Sequence, residues 1–160
     1  MSKRARKPTG ALAKPATAHQ DTLYEIVSAD LYEMRLDTSV VNRVNTEPKN
    51  STAAHVWIAD DDDPGYVFGF VRFIARQDFE ETKFPAFNLR CVYLIGIRVS
   101  ESIGKKAAQE IVAHAVQTTV WAKFKLVFAV VNADASVSMP LLPATPVRLD
   151  FVADESFFEG

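Results

Sequence analysis

Residues 100–133, SESIGKKAAQEIVAHAVQTTVWAKFKLVFAVVNA, decide the fold, because one boundary inside them separates a long helix from whatever follows. Ala108, Ile111, Val112, Ala115, Thr119 and Ala122 recur at i, i+3, i+4 spacing, which predicts an amphipathic helix with Ser100 or Ser102 as its cap. KLVFAVVNA, from Lys125, is a continuous apolar run and reads as a buried strand. Upstream, NLRCVYLIGIRVS at 88–100 has the same near-continuous apolar character, so it reads as a central strand covered on both faces. A strand, a helix and a strand imply a right-handed crossover, with the two flanking strands parallel.

Working outward, AHVWIAD at 54–60 alternates, DDDPG at 61–65 supplies a polar turn, and YVFGFVRFIAR at 66–76 returns, which together predict a hairpin. Asp60 to Asp63 lack the alternate ligand spacing of a calcium loop and read as a solvated turn. Residues 21–45 mix two periods. Leu23, Ile26, Val27, Leu31 and Met34 fit helical spacing, which favours a helix over an opening strand. Three prolines within 140–146 preclude a full helix there, and VRLDFVADESFF at 147–158 alternates as a terminal strand expected to pair antiparallel.

Composition bounds the function. The chain has 160 residues, is 48% hydrophobic and contains 11 Phe, which suits one packed domain. Residues 1–19 differ: Lys3, Arg4, Arg6, Lys7 and Lys14 stand without an acid among Pro, Ala, Gly and Thr, predicting a disordered basic arm ahead of a single domain at 20–160. From a net charge of −2 the arm's five cations leave −7 on that domain, so any attraction for an acidic partner belongs to the arm. No apolar run is long enough to span a membrane and residues 1–19 lack a secretory core, so a cytoplasmic location is expected. Cys91, alone, reads as a buried inert thiol; His19, His55 and His114 have no metal-ligand spacing, and no metal is expected.

Phe68, Gly69, Phe70, Val71, Arg72 and Phe73 are similar to the aromatic strand motif of RNA-recognition domains. The order of elements differs from that family, and VYLIGI at 92–97, resembling its partner motif, lies downstream instead of upstream. The order hairpin, apolar strand, helix, strand resembles instead the GCN5-related N-acetyltransferase (GNAT) family over roughly residues 54–152. That resemblance implies an α+β fold with a mixed, mostly antiparallel central sheet flanked by helices, and a V-shaped split between strands ending at Val99 and starting at Lys125. It implies acyl transfer from acetyl-CoA to an amine of a small molecule or protein, with backbone N–H groups near Ile97 and Val99 on the thioester. Ile103, Gly104, Lys105 and Lys106 would hold the pyrophosphate at the helix N-terminus. Asn132 and Ala135 fit the family's N-x-x-A. Glu101 and Lys106 depart from its Q/R-x-x-G-x-G/A pattern, and Ser138, Met139 and Pro140 stand where it places a tyrosine. Glu80, Glu81 and Glu101 are the acids nearest the expected cleft in sequence, and none is assigned as catalytic. The departures support an alternative, a catalytically silent protein of this fold that binds a macromolecular partner.

Overall fold

A computed structural model of the chain describes residues 24–39, 45–60, 63–135, 139–146, 148–153 and 157. The basic arm therefore lies outside the described residues. Four long strands, β1 (Tyr24–Thr38), β2 (Lys49–Ile58), β3 (Tyr66–Asp78) and β4 (Phe87–Val99), precede the helical segment. That segment runs as α1 (Lys105–Ala115), a π-helical turn at Val116–Val120 and α2 (Trp121–Asp134), and a two-residue strand, β5 (Asp150–Phe151), follows. The sheet order is β1-β4-β3-β2-β5, antiparallel except for the β2–β5 pair. The class is α+β, as the sequence implies.

The β2–β3 hairpin forms where expected. Its turn is closed by the Gly65 N–H donating to Asp63 Oδ1 at 3.0 Å, the side-chain mimic of a backbone turn that Asp readily makes. YVFGFVRF is accordingly the start of an interior strand, with Val67, Val71 and Phe73 buried on the helix side and Phe68, Phe70 and Arg72 on the other.

The helix expected over residues 21–45 is corrected for its described part, residues 21–23 and 40–44 lying outside it. Tyr24–Thr38 is a strand, and its helical spacing comes from two bulges, at Ile26/Ser28 and Leu31/Glu33. Each bulge inserts one extra residue. The positions aligned with the helix-side residues of β4 become Ile26, Ala29, Leu31, Met34 and Leu36, so steps of three interrupt the steps of two and imitate a helix.

The second correction removes the crossover. Lys125 to Ala133 are helical, so β4 has no parallel neighbour and there is no V-shaped split. A short apolar run cannot be assigned to strand or helix by periodicity alone, and nothing between Ala122 and Lys125 breaks a helix. The helical segment, residues 105–134, is about 45 Å long at 1.5 Å per residue. β4, with 13 residues, is about 44 Å long at 3.4 Å each. This match lets one helical layer cover the sheet: Phe124 stacks on Phe73 at 4.8 Å between ring centroids, Trp121 lies 5.2 Å from Phe73, and Phe128 meets Phe87 at 6.0 Å. Burying each such ring contributes up to about 3 kcal/mol. The π-helical turn falls at the β-branched run Thr118, Thr119 and Val120, where Thr118 Oγ1 donates to the carbonyl of His114 at 2.8 Å.

Two smaller expectations also change. The helix N-cap is Gly104, without a side-chain cap bond, instead of Ser100 or Ser102. Of the terminal strand expected at 147–158, the described residues form β5, which is parallel and not antiparallel to its neighbour β2; residues 147, 154–156 and 158 lie outside the described residues. The preceding segment, carrying Pro140, Pro143 and Pro146, instead packs beside α2, with Trp121 Nε1 donating to the carbonyl of Pro143 at 3.0 Å.

Candidate binding surfaces

Of the residues expected to hold a cofactor, the fold brings some together and scatters the rest. Val99, Ile103 and Lys105 line an open cleft of ≈ 390 Å³ between the β2–β3 turn and the start of α1. Gly104 is the N-cap beside it, and the Lys106 ammonium points out, 4.0 Å from Glu110. Ile97 is fully buried within the sheet, paired with Ile26 and Val67. Val99 donates its N–H to the carbonyl of Gly65 at 2.9 Å, so that amide is not available to a thioester. Asn132 lies 28 residues further along the helical segment, about 42 Å from Gly104. Its side chain both accepts from the Met139 N–H and donates to the Met139 carbonyl, tying down the segment that follows α2.

The cleft is also electrostatically wrong for a pyrophosphate. Asp60 and Asp63 line it opposite Lys105, and an anion there would meet like charge. Cys91 is fully buried on the helix side of β4, where burial pushes its thiol up to about 12. Among the described residues no group of three His, Cys, Asp or Glu side chains is placed to hold a metal ion, and no helix is long and apolar enough to cross a membrane.

A different surface stands out. β1 is an edge strand, and its side chains Leu31, Met34 and Leu36 are 42–51% exposed although they align with the buried Tyr93, Cys91 and Leu89 of β4. On α2, Leu126 is 71% and Val130 67% exposed. Both lie on the flank marked by Lys123, whose ammonium reaches across to the carbonyl of Ala29 on β1 at 2.5 Å. The opposite flank is marked by Lys125, which reaches Ala144. Phe124 packs over Phe73 and Phe128 over Phe87. Leu31, Met34 and Leu36 on β1 and Leu126 and Val130 on α2 are thus exposed apolar side chains on two elements that Lys123 bridges. Exposed apolar surface that is grouped in this way marks interaction sites. The helical reading of residues 21–45 hid this surface, because its exposure follows from β1 being an edge strand and α2 a helix.

No family model matches the chain, and no curated protein matches it. The fold is similar to that of a SecB-like chaperone. One similar structure is the SecB-like chaperone of Mycobacterium tuberculosis in complex with a ChAD peptide from an antitoxin, with a TM-score of 0.56 over 75% of this chain and 89% of that chain, at 5% identity. The likeness is one of fold. It overturns the expectation of acyl transfer from acetyl-CoA to an amine, which depended on a strand–helix–strand cleft that this architecture does not contain.

Proposed function

We propose that the protein is a non-enzymatic binding protein that holds an extended apolar segment of a protein partner along an apolar strip made up of the exposed side chains of β1 and α2. The observation that carries this reading is the exposure of Leu31, Met34, Leu36, Leu126 and Val130 on two adjoining elements. β1 adds an open sheet edge, against which an extended segment can form backbone hydrogen bonds while the apolar strip takes its side chains. A chaperone of similar fold has been captured with a peptide, which supports a polypeptide as the occupant.

The test is fluorescence anisotropy with a labelled decapeptide of Leu, Phe and Ser. Leu126→Asp and Met34→Asp should each weaken binding by about ten- to a hundredfold, since removing one buried apolar contact is worth about 1.5–3 kcal/mol. Lys125→Ser, on the opposite flank, should leave it unchanged. Equal affinity for all four proteins would refute the assignment.

A further inference from the structure

The sheet face away from the helices carries a second, chemically different site. His55 on β2 is opposite Arg72 on β3, and Arg90 on β4 lies diagonally from Arg72, so the three side chains share that face. Arg72 Nη1 donates to the carbonyl of Phe157 at 2.8 Å, and its guanidinium lies 5.1 Å from the centre of the Phe157 ring. That ring is also 6.4 Å from Phe70 and is only 1% exposed. A residue close to the end of the sequence is therefore seated on the middle strand of the sheet.

The seat is not satisfied. Arg72 Nε, Arg90 Nε and His55 Nδ1 are buried and have no hydrogen-bond partner among the described residues. The carboxylate nearest Arg90, that of Glu33, stands 3.9 Å away. Burial and the neighbouring Arg90 both lower the Arg72 pKa, and burial and Arg72 lower that of His55 against a smaller opposing effect of Asp150. Two partly buried guanidiniums that share, among the described residues, one long ion pair are costly to hold together, and an anion with several acceptor oxygens would relieve the cost. The sequence around Phe157, Asp154-Glu155-Ser156-Phe157-Phe158-Glu159, places acids on both sides of an aromatic pair.

We infer that the Arg72–Arg90 site takes an acidic segment of a protein partner centred on an aromatic residue, and that the chain's own Phe157 is the resident competitor for it. The contact already in place is made to a peptide carbonyl and a phenyl ring, which selects a polypeptide over a nucleic acid. The site lies on the opposite side of the sheet from the apolar strip and stands or falls independently of it.

The experiment uses the full chain and a fluorescein-labelled peptide of sequence DFVADESFFEG. Phe157→Ala should bind the peptide about tenfold more tightly than the unaltered chain, because an occupied site lowers apparent affinity by the fraction that is free. Adding Arg72→Gln or Arg90→Gln to Phe157→Ala should abolish the gain, with circular dichroism confirming the fold. A peptide with lysine in place of its acids should not bind. Equal affinity of Phe157→Ala and the unaltered chain, or equal binding of the lysine peptide, would overturn the proposal. If both arginine variants unfold, those two comparisons still decide. Tighter binding of oligouridylate than of the peptide to Phe157→Ala would overturn it in favour of a nucleic-acid ligand.

Discussion

Phe124 and Leu126 give opposite results depending on whether residues 125–133 are a helix or a strand, and the difference is large. In a strand, Phe124, Leu126 and Phe128 would share one face. In a helix, each residue advances about 100°, so Leu126 is turned roughly 200° from Phe124. The structure leaves Phe124 fully buried, its ring stacked on Phe73 at 4.8 Å and 5.3 Å from Trp121, whereas Leu126 is mostly exposed. Phe124→Ala should therefore cost about 3–5 kcal/mol, the range for truncating a buried aromatic. Leu126→Ala should change stability by no more than about 0.5 kcal/mol, as for an exposed site with no special contact. For a domain of this size these correspond to losses of about 6–20 °C and under about 2 °C in Tm. Urea unfolding followed by circular dichroism measures both. A loss of about 2 kcal/mol or more from Leu126→Ala would show that its side chain is buried and would refute the helical assignment and the apolar strip together.

Other positions give equally definite expectations. A methyl group at Gly69 would sit 2.6 Å from the Trp57 carbonyl oxygen, so Gly69→Ala should destabilise by about 1–3 kcal/mol, whereas at Gly104 it meets nothing within 4 Å and Gly104→Ala should be near neutral in the same unfolding assay. Asn132→Ala removes both hydrogen bonds to Met139 and should cost about 1–2 kcal/mol while exposing residues 139–146 to limited proteolysis. The Cys91 thiol should resist a disulfide reagent at pH 8 until the protein is unfolded. Because the folded state keeps that proton where an ordinary thiol, near 9, would lose it, stability should decline as pH rises from 9 toward about 12, and Tyr93, raised by the same burial, adds in the same direction.

The sequence made the hairpin, the apolar fourth strand and the start of the long helix readable, because each has one dominant period and clear turn residues at its ends. It misled in two places for definite physical reasons. The bulges in β1 converted a period of two into steps of three, and only the pairing with β4 reveals them. In α2 the apolar residues surround the helix, with Leu126 and Val130 outside as well as Phe124 and Phe128 inside, so no polar face betrays the helical period. The same residues that hid the helix are those that form the candidate site. An apolar side chain exposed for a partner is indistinguishable in sequence from one buried in a core. The pairing of Arg72 with Phe157 spans 85 positions, and no local pattern could connect them.

The most direct test of peptide capture is to find where a bound apolar peptide lies. A Leu- and Phe-containing decapeptide with a central benzophenone, photo-crosslinked to the full chain and mapped by mass spectrometry, should label β1 between Leu31 and Leu36 and α2 between Lys123 and Val130. Labelling confined to the cleft around Asp60, Asp63 and Lys105, or spread evenly over the surface, would contradict the account.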